Sequence, residues 1–244
     1  MDPTLSDAAW LERRADILFT LDAAGRMTAG RDPTDPPPLV FIQRSATLVD
    51  VRLRHGIPAA LAREIHALTA LEPPAPPPGG RLACLDRLQS VLGGAKVVGG
   101  GPVYELPTGL HYPFEGGLIA SGSPEGAAVL ERWRRDGLPD AVSALGFTDA
   151  DDVWRPWCII LVDGDVAAIC QTARLADHGA EAGVITVPQF RGLGLAAAVT
   201  AAWSRHPALA GCTLFYSTSE ANRSSQQVAA RLGLFHRAQD LRLK

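Results

Sequence analysis

The chain has 244 residues, 47% hydrophobic and 20% charged, with a formal net charge of −3. That length and apolar content supply one large domain or two small ones with a sizeable core, and a mildly acidic balance without a long basic run argues against a nucleic-acid partner. No apolar stretch approaches the roughly 20 residues of a membrane-spanning helix, and Met1-Asp2-Pro3 does not open a signal peptide, so no membrane partner and a cytoplasmic setting are expected.

Two Pro-rich runs, 32–38 and 72–80, punctuate the first half and read as stiff surface connections, because proline breaks helix interiors and central strands. Between them, Leu39–Ile42 and Thr47–Leu53 read as strands. A helix follows over about 58–70, with Pro58 at its first turn and Leu61, Ile65 and Leu68 on one face. Leu82–Leu92 reads as another helix. Val97-Val98 and Val103–Leu106 read as short strands separated by Gly99-Gly100-Gly101-Pro102.

Gly117–Ala120 is the next predicted strand. Ser123 caps a helix that has Pro124 at its first position and stops at Gly137; residues 139–145 form a second short helix. Cys158–Val162 and Asp165–Ala173 are strands joined by Asp163-Gly164, a hairpin signal. Glu181–Val187 is a strand running into Pro188-Gln189-Phe190-Arg191-Gly192-Leu193-Gly194. From Leu195 a long Ala-rich helix follows, with Leu195, Val199, Ala202 and Trp203 on one face. A short strand, Cys212–Tyr216, precedes a helix opened by Asn222 and ending Arg231-Leu232-Gly233-Leu234.

The four cysteines (Cys84, Cys158, Cys170, Cys212) lack Cys-x-x-Cys spacing, and three sit in apolar strand-like runs, so buried free thiols are expected rather than metal ligands or disulfides.

The strand–glycine turn–helix at 181–195 is a phosphate cradle: glycines let backbone approach a ligand, and the new helix aims unpaired N–H groups and its positive dipole end at it. It is not a Walker A loop, which needs Gly-Lys-Ser/Thr, nor a Rossmann fingerprint, which needs a third glycine in register. Gln189-Phe190-Arg191-Gly192-Leu193-Gly194 fits the pattern Gln/Arg-x-x-Gly-x-Gly/Ala, with Pro188 three residues before Arg191. With Asn222-Arg223-Ser224-Ser225 and the closing Leu232-Gly233-Leu234, this resembles the GNAT superfamily of acyl-CoA-dependent N-acyltransferases. The match covers residues 155–244 well and 115–155 loosely.

The resemblance implies an α/β fold of α+β type, with a mixed, strongly twisted central sheet flanked by helices. Residues 1–95 are then an N-terminal α+β appendage and 96–244 the acyltransferase domain; the N-terminal half is also compatible with a degenerate copy of the fold. It implies acetyl-CoA as co-substrate, no metal, and direct attack by a small-molecule or protein amine in a ternary complex. A homodimer is compatible with it. In the family this loop holds the coenzyme A pyrophosphate, here Gln189, Phe190, Arg191, Gly192, Leu193, Gly194 and Leu195. The preceding strand supplies a backbone N–H to the thioester carbonyl, here from Ile185, Thr186 or Val187, and Asn222 contacts the pantetheine arm. Glu181 is the carboxylate on that strand and the candidate base. The family's acid, a Tyr seven residues after the Asn, is replaced here by Ala229. Ser225, which also joins the cofactor-binding set, is the nearest substitute, and Tyr216 and Ser217 are the other hydroxyl candidates. His178, in a loop three residues before Glu181, is a further candidate base, and His111, Tyr112 and Glu115, which precede the first strand of the match, are candidates to line the acceptor site. The alternative reading is a CoA-binding protein that has lost transfer and acts as a sensor or interaction module.

Overall fold

The computed structural model describes residues 5–32, 34–74 and 80–244. Met1-Asp2-Pro3, Pro33 and 75–79 of the second Pro-rich run lie outside the described residues. In chain order the elements begin α1 (Asp7–Leu18), β1 (Phe19–Leu21), β2 (Met27–Gly30), β3 (Val40–Ser45), β4 (Val49–Leu53), α2 (Ala59–Thr69), α3 (Leu85–Val91) and β5 (Val97–Leu106). Then come β6 (Gly117–Ala120), α4 (Pro124–Asp136), α5 (Asp140–Ser143), β7 (Trp157–Val162), β8 (Asp165–Ala176) and β9 (Gly179–Thr186). The last are α6 (Leu195–Ser204), β10 (Thr213–Ser217), α7 (Arg223–Arg231) and β11 (Phe235–Leu243). Two compact units result. One comprises Met1–Glu105, Ser217–Arg223 and Phe235–Lys244; the other comprises Leu106–Tyr216 and Ser224–Leu234.

In the first unit the strands neighbour one another in the order β4-β3-β11-β5, all antiparallel. Helices α2 and α3 bury Ile65, Leu68, Leu85 and Leu88 against Val40, Ile42, Leu53 and Leu243. Three elements here have no counterpart in the sequence prediction, and buried charge is the reason for two of them. Helix α1 carries Arg14, fully buried, donating to Ser217 Oγ at 3.0 Å and to Asp240 Oδ2 at 3.4 Å. Strand β11 looks like a polar tail because Arg237 and Asp240 interrupt it, yet both are buried. Arg237 reaches Glu105 at 2.7 Å and Asp7 at 3.3 Å; Asp240 accepts the Gly101 N–H at 3.1 Å. The third, the β1–β2 hairpin, is too short to show a period. Strand β5 is one ten-residue strand rather than two, pairing with β11 through its glycines.

A buried ion pair organises the chain on both sides of residues 75–79. Arg44 Nη1 lies 2.8 Å from Glu72 Oε1, and both side chains are buried. The Glu72 carboxylate also accepts the N–H groups of Ala83 and Cys84, each at 3.1 Å, while Arg44 donates to the Gly80 carbonyl. Burial, and then the Glu72 carboxylate, push the Cys84 thiol up to about 11.

The second unit is layered. Its strands run β10-β9-β8-β7-β6, antiparallel except for the β9–β10 pair. The β7–β8 hairpin turns at Asp163 (φ 52°) and Gly164 (φ 89°), the two left-handed residues that the strand twist favours. Side chains alternate along β7. Trp157 and Ile159 join a cluster with Val129, Leu130 and Trp133 of α4. Cys158 pairs in register with Cys170, whose thiol meets Thr200 of α6. Helices therefore cover both faces, the mixed α/β arrangement expected of a GNAT-like fold. Burial pushes the Cys158 thiol up to about 12 and Cys170 well above its ordinary value. All four thiols are free. Among the described residues no helix is long and apolar enough to cross a membrane, and no group of three or more His, Cys, Asp or Glu is placed to hold a metal.

Removing one partner of a buried pair strands the other charge. Glu72→Ala is therefore expected to lower unfolding free energy in urea by about 3–5 kcal/mol, and the double change Arg44→Met/Glu72→Met to recover most of the loss. A loss for Glu72→Ala within about 1 kcal/mol, the surface-pair range, would mean the pair does not hold this connection.

Candidate functional site

Strand β9 is the axis of the site, and its two edges differ. Along one edge it pairs with β8 throughout, from Gly179↔Ala176 to Thr186↔Ala168. Along the other it pairs with β10 only through Gly179, Ala180 and Glu181, opposite Thr213, Leu214 and Phe215. The β9–β10 pairs end there while β10 runs on to Ser217, so residues Ala182–Thr186 have no β10 residue opposite them along that edge.

The opposite edge is irregular at the same level. The β8–β9 register skips Ala173, passing from Thr172↔Ala182 to Arg174↔Glu181. An extra residue of this kind bends its strand and increases the local twist. Gly183 is the residue that accommodates it, since a Cβ there would lie 2.9 Å from the Ala173 Cβ. The bulge is tied down from the helix side. Trp203 Nε1 of α6 donates to the Pro156 carbonyl at 2.9 Å and to Thr172 Oγ1 at 3.1 Å, and Thr172 Oγ1 itself donates to Pro156 O at 2.8 Å.

At its far end β9 enters the glycine turn. Val187 N–H donates to the Ala167 carbonyl at 3.0 Å, and a single 3₁₀ turn covers Pro188–Phe190. Gly192 (φ 84°) and Gly194 (φ 81°) are left-handed, a conformation that costs glycine nothing. Helix α6 then starts with no side chain capping it. The face predicted for α6 is buried, but so is every other residue from Leu195 to Ser204 except Ala196. Its alanines are small enough to pack all round.

The predicted residues fall into place unevenly. Backbone alternation in an antiparallel pair sends successive residues to opposite edges. Val187 donates toward β8, so Ile185 does too, and of the three backbone candidates only Thr186 faces the open edge. The Thr186 carbonyl there accepts Arg191 Nε at 3.3 Å, which folds that exposed side chain back along the turn. The Ile185 side chain packs against the α4 core cluster. Gln189, Gly192 and Leu193 are exposed, Phe190 is half-buried, and Leu195 is buried. Glu181 is buried at the step where β10 departs, not exposed at a strand start. Tyr216 is buried, and its hydroxyl meets Ser225 Oγ of α7 at 2.6 Å and the Ser225 carbonyl at 3.3 Å. Ala229 is fully buried one helical turn beyond Ser225. Asn222 is exposed immediately before α7 and belongs to the first unit, with its N–H on the Ser219 carbonyl at 3.1 Å. His111, Glu115 and His178 are exposed in loops.

Tyr112 does reach the turn. A Cβ on Gly194 would lie 3.3 Å from the Tyr112 hydroxyl and 3.1 Å from Arg231 Nη1. Arg231 ends α7 and was not singled out in the sequence; the only signal was a basic residue in a helix's last turn. A cation and a hydroxyl from separate elements thus flank an uncapped helix N-terminus, an arrangement suited to an anion.

No protein-family model and no curated protein sequence matches the chain. Solved structures do resemble it. A GNAT-family protein from Novosphingobium aromaticivorans is 21% identical over 62% of this chain and 66% of its own, with a TM-score of 0.42. A GCN5-related N-acetyltransferase from Kribbella flavida is 22% identical over 64% and 62%, TM-score 0.43. A GNAT-family acetyltransferase from Colwellia psychrerythraea is 18% identical over 99% and 98%, TM-score 0.44. The chain spans about two thirds or less of the first two. All three neighbours are described as GNAT proteins. All three TM-scores are below 0.5, so the chemistry of the site rests on its own residues.

If Ala173 and Gly183 set the bend, a branched side chain at 183 overpacks it. Gly183→Val is expected to lower unfolding free energy by about 1–3 kcal/mol in urea. A change inside about 0.5 kcal/mol would detach Gly183 from the bulge.

Proposed function

We propose that the chain is an acyl-CoA-dependent N-acyltransferase, with acetyl-CoA as co-substrate and a primary amine, on a small molecule or a protein, as acceptor. One observation carries the reading: an uncapped glycine turn and a strand edge vacated by its neighbour lie along the same strand, β9. Acetyl-CoA would supply an acyl group already activated as a thioester. The groups present fit such a ligand. The free N–H groups at the start of α6 suit a pyrophosphate, and Arg231 adds a charge beside them. The open edge of Ala182–Thr186 offers main-chain donors and acceptors to an extended amide-bearing arm, in the manner of an added strand. Thr186 N–H, on that edge, is the donor we assign to the thioester carbonyl, in place of Ile185 or Val187.

Glu181 is the residue we assign as general base. It is buried at the step where the cleft between β9 and β10 opens, which limits competition from solvent. Holding the amine and the acyl group together in that cleft would supply much of the acceleration. The fully buried Ala229, standing where the family keeps a tyrosine, favours a second reading, a CoA-binding protein without transfer.

Calorimetry with CoA and acetyl-CoA tests the first reading. Wild type is expected to bind both in the micromolar range. Gly192→Glu is expected to abolish binding, whereas Gly192→Asn, which tolerates the left-handed backbone, retains most of it. Turnover on an amine panel, reduced about 10²–10⁴-fold by Glu181→Gln, would support transfer. Binding with no turnover on any amine would leave the second reading, and no binding by folded wild type would sink both.

A further inference from the structure

We infer that Arg174 is a positioning residue for the proposed reaction: the bulge in β8 sets it opposite Glu181 on one face of the sheet, where its charge readies that carboxylate to take a proton. The inference rests on the assignment of Glu181 as general base and supplies a charge partner for it. The register carries the argument. Thr172 stands opposite Ala182, and in an unbroken antiparallel ladder the next pair would join Ala173 to Glu181. The bulge passes over Ala173 and brings Arg174 to that place instead. Residues directly opposite in a ladder share a face, with Cβ atoms about 4.5–5.5 Å apart. Arg174 is also fastened at the bulge. Its Nη1 donates at 2.6 Å to the carbonyl of Ala173, the residue that the ladder leaves out.

Burial makes such a partner matter. Glu181 is 8% exposed, and a carboxylate withdrawn from water stays ionised only beside a compensating charge or hydrogen-bond donors. The other elements packed on β9 present no charge of their own at this level. On β10 the residue opposite Glu181 is Phe215. Helix α6 contains no titratable side chain from Leu195 to Ser204. The cluster around α4 that receives Ile185 is apolar. His178, three residues before Glu181, is exposed in its turn. A guanidinium keeps its proton throughout the working range, so in this pair only the carboxylate titrates. When an ammonium acceptor enters, one proton passes from its nitrogen to a Glu181 oxygen. The nitrogen becomes a neutral amine, the carboxylate a neutral acid, and Arg174 is unchanged. Arg174 therefore acts through Glu181, by holding it in the basic form before the acceptor arrives and favouring loss of the proton once the product has left.

The test is a pH titration of the full chain carrying carbon-13 in its glutamate carboxyl groups, with the Glu181 signal assigned by its loss in Glu181→Gln. Arg174→Met, which keeps an unbranched stem, is expected to move the Glu181 titration up by about 1–3 pK units from wild type. Arg174→Lys is expected to move it less, because the charge remains. Turnover of acetyl-CoA with one amine, the same throughout, is expected to follow. The acidic limb of its pH profile rises in Arg174→Met by the amount that the carboxyl titration does, while the KM for acetyl-CoA holds. Melting curves confirm that each variant is folded, and Arg174→Gln carries the same comparison if Arg174→Met is not. A Glu181 titration that is the same with and without the guanidinium would overturn the pairing and leave Glu181 as base. A titration that moves without the turnover profile would make the pair a structural one and overturn its part in the reaction. Turnover by Glu181→Gln at the wild-type rate would overturn the assignment beneath it.

Discussion

The loss of pairing between β9 and β10 after Phe215 is the constraint from which the candidate site follows. Parallel strands that stay paired leave no room between them and no main-chain groups unspoken for. The separation falls level with an irregularity on the other edge of β9. An extra residue at Ala173 bends β8, Gly183 gives it space, and Trp203 anchors the neighbouring Thr172 from the helix above. The same helix, α6, offers its uncapped N-terminus at the end of β9. One element therefore fixes the bend at its last turn and presents the anion-seeking groups at its first. The cleft and the cradle are two ends of a single mechanical arrangement.

Much of the second unit was legible in the sequence because its signals are local. Asp163-Gly164 marked the hairpin, Ser123-Pro124 marked the start of α4, and the glycines at 192 and 194 marked the turn into α6. Each of these reflects a backbone preference that acts within a few residues. The bulge was not legible, since nothing in Thr172-Ala173-Arg174 says that one of the three will go unpaired. The meeting of Tyr112, Gly194 and Arg231 was equally hidden, because it joins a loop, a turn and a helix end far apart in the chain. Tyr216 and Ser225 were visible as separate hydroxyls, but the 2.6 Å contact between them was not.

In the first unit β3, β4, α2 and α3 were legible, but α1 and β11 were not, for a different reason. Its α1 and β11 place Arg14, Arg237 and Asp240 in the interior, and a pattern search counts charged residues as surface. Such groups are tolerated because each has a partner of opposite charge or a hydrogen-bonding backbone group within reach. These contacts link residues more than two hundred positions apart, Arg14 with Asp240 and Arg237 with Asp7. The two ends of the chain are thus fastened to each other inside one unit, which the hydrophobic pattern alone would never have suggested.

The composition of α6 has a consequence for how this protein can diversify. Nine of its ten residues are buried, four of them alanine, so the helix has little surface on which to accept new side chains. Enlarging almost any of them would press against a packed neighbour. Sequence change is therefore confined to segments that tolerate it, such as the exposed stretch around His111 and Glu115, while this helix stays fixed. Packing here acts as a partition between what evolution can vary and what it must keep.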